Sequence, residues 1–374
     1  MTDEQMWYLP VETVYNLIKD SFMAMGVSED DAKIVADILI ESDLRGIESH
    51  GVGRLYYYYV RIRDGQHLVT NPYYIVKETK TTALIDANNG EGHVVAYNAM
   101  KMAIAKAKEY GLGAVAVRNS THFGIAGYYT NMAANEGLIG LTTTNARPSI
   151  PPTWSVEPML GTNPLSWAMP TDEPFPFSLD CATSIVQRGK IEWYDRAGKP
   201  VPENLVIGND GESLTDAAFI LKGLTEDTAA LLPVGGAGEA TGGYKGYGYA
   251  TVVEILSAAL STAKFLKGLS GVAEDGSKTF FGLGHFFLAI DPEAFCGLDE
   301  FKKTTGDIMR SLRAAKLAPG AERIYTAGEK EYYNKLKVQE EGVPINEGLA
   351  KELLAVKKAL NLTSYEFPFD FLDE

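Results

Sequence analysis

The chain has 374 residues, 45% hydrophobic and 22% charged, which is the balance of a soluble globular protein long enough for two or three domains and a sizeable core. Its formal net charge of −15 repels phosphate backbones and anionic lipid, so neither nucleic acid nor a membrane surface is expected as a partner, and any anionic ligand must be met by local cations. Two cysteines, Cys181 and Cys296, are too few for a disulfide framework and lack metal-ligand spacing; set in apolar runs, they are expected to be buried thiols.

The first seventy residues read as helices. Val11, Val14, Leu17, Ile18, Phe22 and Met25 recur at helical spacing, and Gly26 stops the run. Ser28 ahead of Asp31 is an N-cap pattern that opens a second helix through Ile34, Val35, Ile38 and Leu39, running into Ser42-Asp43-Leu44-Arg45-Gly46. The tyrosines at 56–59 read as packing surface. From about residue 75 the pattern changes to short apolar runs bounded by turn residues, at 82–87, 114–117, 139–144 and 176–180, which predict buried strands. Between the first two of these lies a helix with Ala96, Met100, Ile104 and Ala107 on one face. A helix is expected from about Tyr249 to Phe265, a late strand over 284–290, and helices around 300–316 and 346–360. The expected organisation is α/β. Residues 76–297 form a cofactor-binding domain, and residues 1–75 and 298–374 form a helical part closed by both termini. The N-terminus, Met1-Thr2-Asp3-Glu4-Gln5, carries no basic and apolar leader and no stretch reaches membrane-spanning length, so the chain is expected in the cytoplasm.

Arg45-Gly46-Ile47-Glu48-Ser49-His50-Gly51-Val52-Gly53-Arg54 sets a histidine and an arginine four residues apart at the end of an amphipathic helix. Imidazole can take or give a hydroxyl proton near neutral pH, and guanidinium can hold a carboxylate through two parallel hydrogen bonds. Read by themselves, the same residues are also ordinary helix-ending chemistry. Arg118-Asn119-Ser120-Thr121-His122-Phe123-Gly124 follows a strand, where α/β sheets place ligands, which makes His122 a second candidate imidazole. Gly161-Thr162-Asn163-Pro164 reads as a tight turn with side-chain hydrogen bonds. Asp180, at a strand end before small residues, can bond a ribose hydroxyl, orient an imidazole or cap a helix. His67, His93 and His285 stand in no partner pattern, and no His/Glu or His/His spacing predicts a metal.

The usual dinucleotide fingerprint is missing. Gly111-Leu112-Gly113-Ala114-Val115-Ala116 fits it as a string but enters a strand rather than leaving one, so its glycines cannot open a phosphate-binding helix. The better phosphate candidate is the segment 235–248, with seven glycines in fourteen residues and Lys245 among them, followed by the positive end of a helix.

Taken in order, Arg45–Gly51, Thr121–Gly124, Gly161–Pro164, Leu179–Thr183 and Gly242–Gly248 resemble the type 2 malate/L-lactate dehydrogenases, over nearly the whole length to Ala318–Arg323. This non-Rossmann group also holds ureidoglycolate, sulfolactate and diketogulonate oxidoreductases and a piperideine-2-carboxylate reductase. The resemblance implies a non-Rossmann α/β fold, NAD or NADP as cofactor, a homodimer with active sites near the subunit interface, and oxidation of a small (S)-2-hydroxy acid, malate first and lactate next. It implies His50 as proton donor and acceptor for the C2 oxygen, His122 as a second acid/base, and Arg54 with Ser49 on the substrate. Asn145 and Ala146 match part of a nicotinamide pocket. Asp180, Cys181 and Ala182, then Tyr244, Lys245 and Gly246, then Pro319, Gly320 and Glu322 match further cofactor contacts. Relatives often carry a small polar residue where this chain has Ala146, followed by Arg147, which is read as a cation for a second substrate carboxylate. The alternatives are a ureidoglycolate or sulfolactate dehydrogenase, a reductase of cyclic imines, or a non-catalytic dinucleotide sensor on the same fold.

Overall fold

The computed structural model describes residues 5–70 and 72–373. A short strand, β1 (Met6–Leu9), leads into α1 (Val11–Ala24) and α2 (Glu29–Leu44). Ser28 caps α2 by accepting from the Asp31 amide, and Glu29, Asp30 and Asp31 set negative charge on the positive end of the helix. Two single turns, Glu48–His50 and Val52–Arg54, then precede α3 (Leu55–Arg63). The leader expectation rests in part on residues 1–4, which lie outside the described residues. No helix among the described residues is long and apolar enough to cross a membrane.

The middle of the chain alternates strands with helices: β2 (Tyr74–Glu78), β3 (Thr82–Asp86), α4 (Gly92–Tyr110), β4 (Leu112–Ser120), α5 (Ala126–Asn135), β5 (Ile139–Thr144), β6 (Leu165–Met169) and β7 (Phe177–Cys181). A small unit follows, made of α6 (Arg188–Arg196), β8 (Val206–Gly208), α7 (Ala217–Glu226) and β9 (Ala229–Leu231), with its own core around Ile191, Val206 and Ile220. Then come α8 (Gly243–Glu254), β10 (Leu283–Ile290), α9 (Leu298–Arg313), α10 (Glu329–Glu341), β11 (Val343–Asn346) and α11 (Glu347–Ala359). The helix expected from Tyr249 starts six residues earlier, at Gly243, and gives way to a π turn at Ile255–Ala259.

Seven strands form one sheet in the order β2-β3-β4-β10-β5-β6-β7. Only β3 and β4 pair in parallel; every other neighbouring pair runs antiparallel. β3, α4 and β4 do make a parallel βαβ unit, but Gly111 and Gly113 stand where α4 runs into its second strand, not at the turn that opens α4, so they cannot serve as the fingerprint glycines. Gly111 ends α4 in the left-handed region at φ +83°, and a Cβ on Gly113 would stand 2.0 Å from the Ala103 carbonyl oxygen. The two glycines therefore serve the close approach of α4 to β4. Helices α4 and α5 cover the sheet through Ala96, Ala99, Met100, Ala103 and Tyr129, all fully buried against Ile85, Val115, Val117 and Phe287. Another apolar core joins α1, α2 and α3 to β11 and α11, through Leu17, Phe22, Leu39, Leu55, Ile345 and Leu353. Both cysteines are exposed, against the expectation of buried thiols.

The register fixes what matters for chemistry. Ser120 pairs with Leu283, Thr144 with His285, and Leu165 with both Thr143 and Cys181. The last residues of β4, β5 and β7 thus share one edge of the sheet, and the loops carrying His122, Asn145 and Asp180 leave from that edge.

Candidate active site

The turn after α2 is held from below by a buried carboxyl. Asp43 accepts a hydrogen bond from the Val52 amide at 2.8 Å, and a Cβ on Gly51 would lie 1.8 Å from Asp43 Oδ1, so only glycine lets the chain close over it. Burial pushes the Asp43 carboxyl up to about 8, with the Glu48 charge adding to the rise and the Val52 bond opposing it. This turn presents His50. Its Nδ1 shares a 2.9 Å hydrogen bond with the Ser49 hydroxyl, and its ring stacks on His122 with centroids 5.5 Å apart. Arg54 donates through Nε to the Ser49 carbonyl at 2.6 Å and lies over the Tyr57 ring, leaving both terminal amino groups without a hydrogen bond among the described residues. Ser49 and Arg54 line a cleft of about 880 Å³ together with Tyr57, Arg61, Gln187 and Lys190. Burial, and then the Arg54 charge, push His50 down to about 3. Burial, followed by His50 and Arg54, holds His122 well below the ordinary histidine value. Both rings are therefore neutral imidazoles, the form that can accept a proton.

Behind this pair lies a polar chain that sequence spacing does not reveal. Tyr58, read as packing surface, is fully buried, and its hydroxyl bonds His122 Nδ1 at 2.6 Å and His93 Nε2 at 3.1 Å. His93 Nδ1 in turn meets Glu91 Oε1 at 2.5 Å. His67 Nε2 bonds the Thr121 hydroxyl at 2.6 Å, and His285 Nδ1 bonds Thr144 at 2.7 Å. The three histidines without a sequence pattern thus all have partners.

The segments expected around a cofactor gather at the same sheet edge, with one exception. Asp180 accepts from the Gly127 amide at 2.6 Å, in the first turn of α5; of its three readings, helix capping is the one with a bond behind it. Burial raises the Asp180 carboxyl to about 6, and Cys181 beside it is exposed. Past Ala182, Thr183 accepts from the Val234 amide at 2.9 Å and Ser184 bridges to Pro233, so the glycine segment starts at the end of β7. That segment is more ordered than a solvated loop. A Cβ on Gly243 would sit 1.9 Å from the Gly236 carbonyl oxygen, and one on Gly246 2.1 Å from that of Val234. These glycines seat the start of α8 against the loop. Tyr244 and Lys245 fall in the first turn of α8, both exposed, with open space around Gly238. The positive end of a twelve-residue helix, a lysine with no ion pair among the described residues and an uncrowded glycine backbone fit the phosphates of a dinucleotide.

Asn145 is fully buried and spends its side chain internally. Its Oδ1 accepts from the Gly284 amide at 2.9 Å, and its amide donates to the Lys264 carbonyl at 3.1 Å and to Glu254 at 3.4 Å. Asn163 donates to Glu254 at 2.8 Å and accepts from the Ala146 amide at 3.2 Å. Asn145 and Ala146 thereby shape the edge, whereas the Arg147 side chain is exposed and unbonded among the described residues. Pro319, Gly320 and Glu322 lie on an exposed segment between α9 and α10, and no hydrogen bond among the described residues ties them to the sheet edge. No group of metal-ligating side chains occurs among the described residues.

Comparison with known proteins gives one consistent family. Residues 9–354 match the family model described as malate/L-lactate dehydrogenase. A malate dehydrogenase of Pyrococcus horikoshii is 42% identical over 360 residues, spanning 96% of this chain and 97% of its own. An L-sulfolactate dehydrogenase of Methanocaldococcus jannaschii is 38% identical over 361 residues, 96% of this chain and 99% of its own. The crystal structure of malate dehydrogenase from Entamoeba histolytica superposes with a TM-score of 0.93 at 43% identity, covering 97% of this chain and all of that one (100%).

Proposed function

The chain belongs to the malate/L-lactate dehydrogenase family of oxidoreductases, and from that premise we propose that it moves hydride between NAD or NADP and a small (S)-2-hydroxy acid, malate before lactate. The observation that carries this reading is the pair of neutral stacked imidazoles, His50 and His122, beside an arginine whose terminal amino groups have no hydrogen bond among the described residues. Arg54 and Ser49 hold the C1 carboxylate, and a fixed carboxylate places the hydroxyl against the imidazoles, where positioning lowers the barrier. His50, steadied through Nδ1 by Ser49, takes the hydroxyl proton at Nε2 during oxidation. A bound nicotinamide supplies the hydride acceptor. Lys245 and the first amides of α8 hold its phosphates, with Tyr244 and Gly246 shaping that turn, while Asp180, Cys181 and Ala182 border the same edge. Arg147 offers a cation to a second acidic group, which favours malate over lactate; a sulfonate in place of that group is the second reading, supported by the 38% identical sulfolactate relative.

Exposed apolar side chains on α8 and the turn after it (Val252, Ile255 and Phe265, between 51% and 63% exposed) support a homodimer through this face. Two exposed free thiols suit a reducing cytoplasm, where cell fractionation should find the protein. The activity is tested by mixing the purified protein with NADH, then NADPH, and following absorbance on adding oxaloacetate, pyruvate or sulfopyruvate. Oxidation with oxaloacetate as the preferred acid is expected; silence with every 2-oxo acid overturns the reading.

A further inference from the structure

Resting on the dehydrogenase reading above, we propose that His122 is a fixed hydrogen-bond donor to the substrate's C2 oxygen, its hydrogen locked on Nε2 by Tyr58 and the Gly124 amide, so that only His50 moves a proton. A backbone N–H cannot turn away as a hydroxyl can, and that of Gly124 donates to His122 Nδ1 at 3.3 Å. This nitrogen is therefore an acceptor and carries no hydrogen. The turn that aims the amide requires glycine: φ is +80°, and a Cβ would stand 2.7 Å from Ile38 Cγ2. The Tyr58 hydroxyl, 2.6 Å from the same bare nitrogen, must then donate to it as well. Burial keeps that hydroxyl protonated. Neutral His122 is left with its one hydrogen on Nε2, which has no hydrogen bond among the described residues.

The buried side chains behind Tyr58 run in the same direction. Having given its hydrogen to His122, the Tyr58 oxygen accepts from His93 Nε2 at 3.1 Å. One further hydrogen lies in the 2.5 Å contact between His93 Nδ1 and Glu91 Oε1, and on either atom it leaves the two side chains neutral as a pair. The opposite direction, with His93 Nε2 bare, would bury a net negative charge on Glu91, whose other oxygen has no hydrogen-bond partner among the described residues.

The two stacked histidines are thereby opposite tautomers. His50 meets Ser49 through Nδ1 and keeps a bare Nε2, whereas His122 offers an Nε2–H. Their ring centroids, 5.5 Å apart, suit one oxygen bonded to both, since two hydrogen bonds at one atom span up to about 6 Å. During oxidation the substrate hydroxyl donates to His50 Nε2 while its oxygen accepts from His122 Nε2. As hydride leaves C2, the electron pair of the O–H bond becomes the second C–O bond and the proton stays on His50. His122 begins and ends with one hydrogen. In the reverse direction its bond stabilises the negative charge building on the oxygen, as the donors of an oxyanion hole do. The lock keeps a second cation out of the site: burial, then His50, Arg54, His93 and His67, oppose a second proton on His122. His122 touches the reacting oxygen; Tyr58, Gly124, His93 and Glu91 are positioning residues acting through it.

NMR of the histidine ring nitrogens in the full ligand-free chain reads the tautomer directly and needs no variant to fold. His122 is expected to carry its hydrogen on Nε2 in the wild type, and Tyr58→Phe to weaken that preference. In malate oxidation, His122→Leu is expected to lose about 10²–10³ in kcat, the loss that follows removal of one oxyanion donor. His122→Gln, whose amide can donate but cannot titrate, is expected to recover part of that loss. Tyr58→Phe is expected to lower kcat while leaving KM near the wild-type value. A His122 hydrogen on Nδ1, a wild-type kcat in His122→Leu, or a His122→Gln no better than His122→Leu would each overturn the proposal. A wild type that oxidises no 2-hydroxy acid defeats the dehydrogenase reading instead, and the NMR result stands apart from that failure.

Discussion

Asp43 and Gly51 decide where His50 points. A carboxyl sealed under a turn is costly to ionise, and Asp43 has the Val52 amide as its bonded donor. Its value rises from 3.8 to about 8, so between those limits the native chain keeps a proton that the unfolded chain has released. Stability from this group is complete below the unfolded value and is lost as pH rises through the folded one. Thermal melts should therefore fall more steeply for the wild type than for Asp43→Asn from about pH 5 to about pH 8, since Asn keeps the Val52 bond without the titration. Equal slopes would show that Asp43 is ionised in the native state. At this scale the sequence was partly legible. His50, Arg54 and His122 stand in short glycine-flanked motifs at the ends of elements, where local chemistry shows through. Tyr58, His93 and Glu91 were not legible, because a buried tyrosine inside an aromatic run looks like packing and its partners lie 35 and 64 positions away.

Among the elements, the apolar runs that became β3, β4, β5, β7 and β10 announced themselves, as did the capped start of α2. Strand β6 was missed although turn residues bound it at Gly161–Pro164 and at Pro170, because Leu165-Ser166-Trp167-Ala168-Met169 is broken by Ser166 and is no continuous apolar run. The glycine segment misled in a more useful way. Glycine is a poor helix former, so Gly243, Gly246 and Gly248 argued for a loop, yet α8 runs through all three. Tertiary contact wins: two of those positions face backbone carbonyls closer than any Cβ could stand, while Gly248 has open space. The same contact brings Lys245 into a helix's first turn, where lysine and helix dipole would act together on the proposed phosphate. Gly111 and Gly113 repeat the lesson on β4, where a string that mimics a nucleotide motif is a packing device.

Across the whole molecule, an antiparallel-dominated sheet still delivers its strand ends to one edge, and the helical core sets the His50 turn against that edge through His122. Val252, one of the exposed apolar side chains on which the proposed homodimer rests, lies on the helix that carries Lys245, so the proposed association and the proposed cofactor binding would share an element. Sedimentation should give a dimer for the wild type and a monomer for Ile255→Glu; a wild-type monomer would remove the homodimer. The central claim, that His50 moves the proton while hydride moves at C2, is tested most directly by the kcat of malate oxidation in His50→Ala against the wild type, with cofactor affinity measured alongside. The account predicts a loss of about 10²–10⁴ in kcat and an intact cofactor affinity. Full turnover by His50→Ala would contradict it.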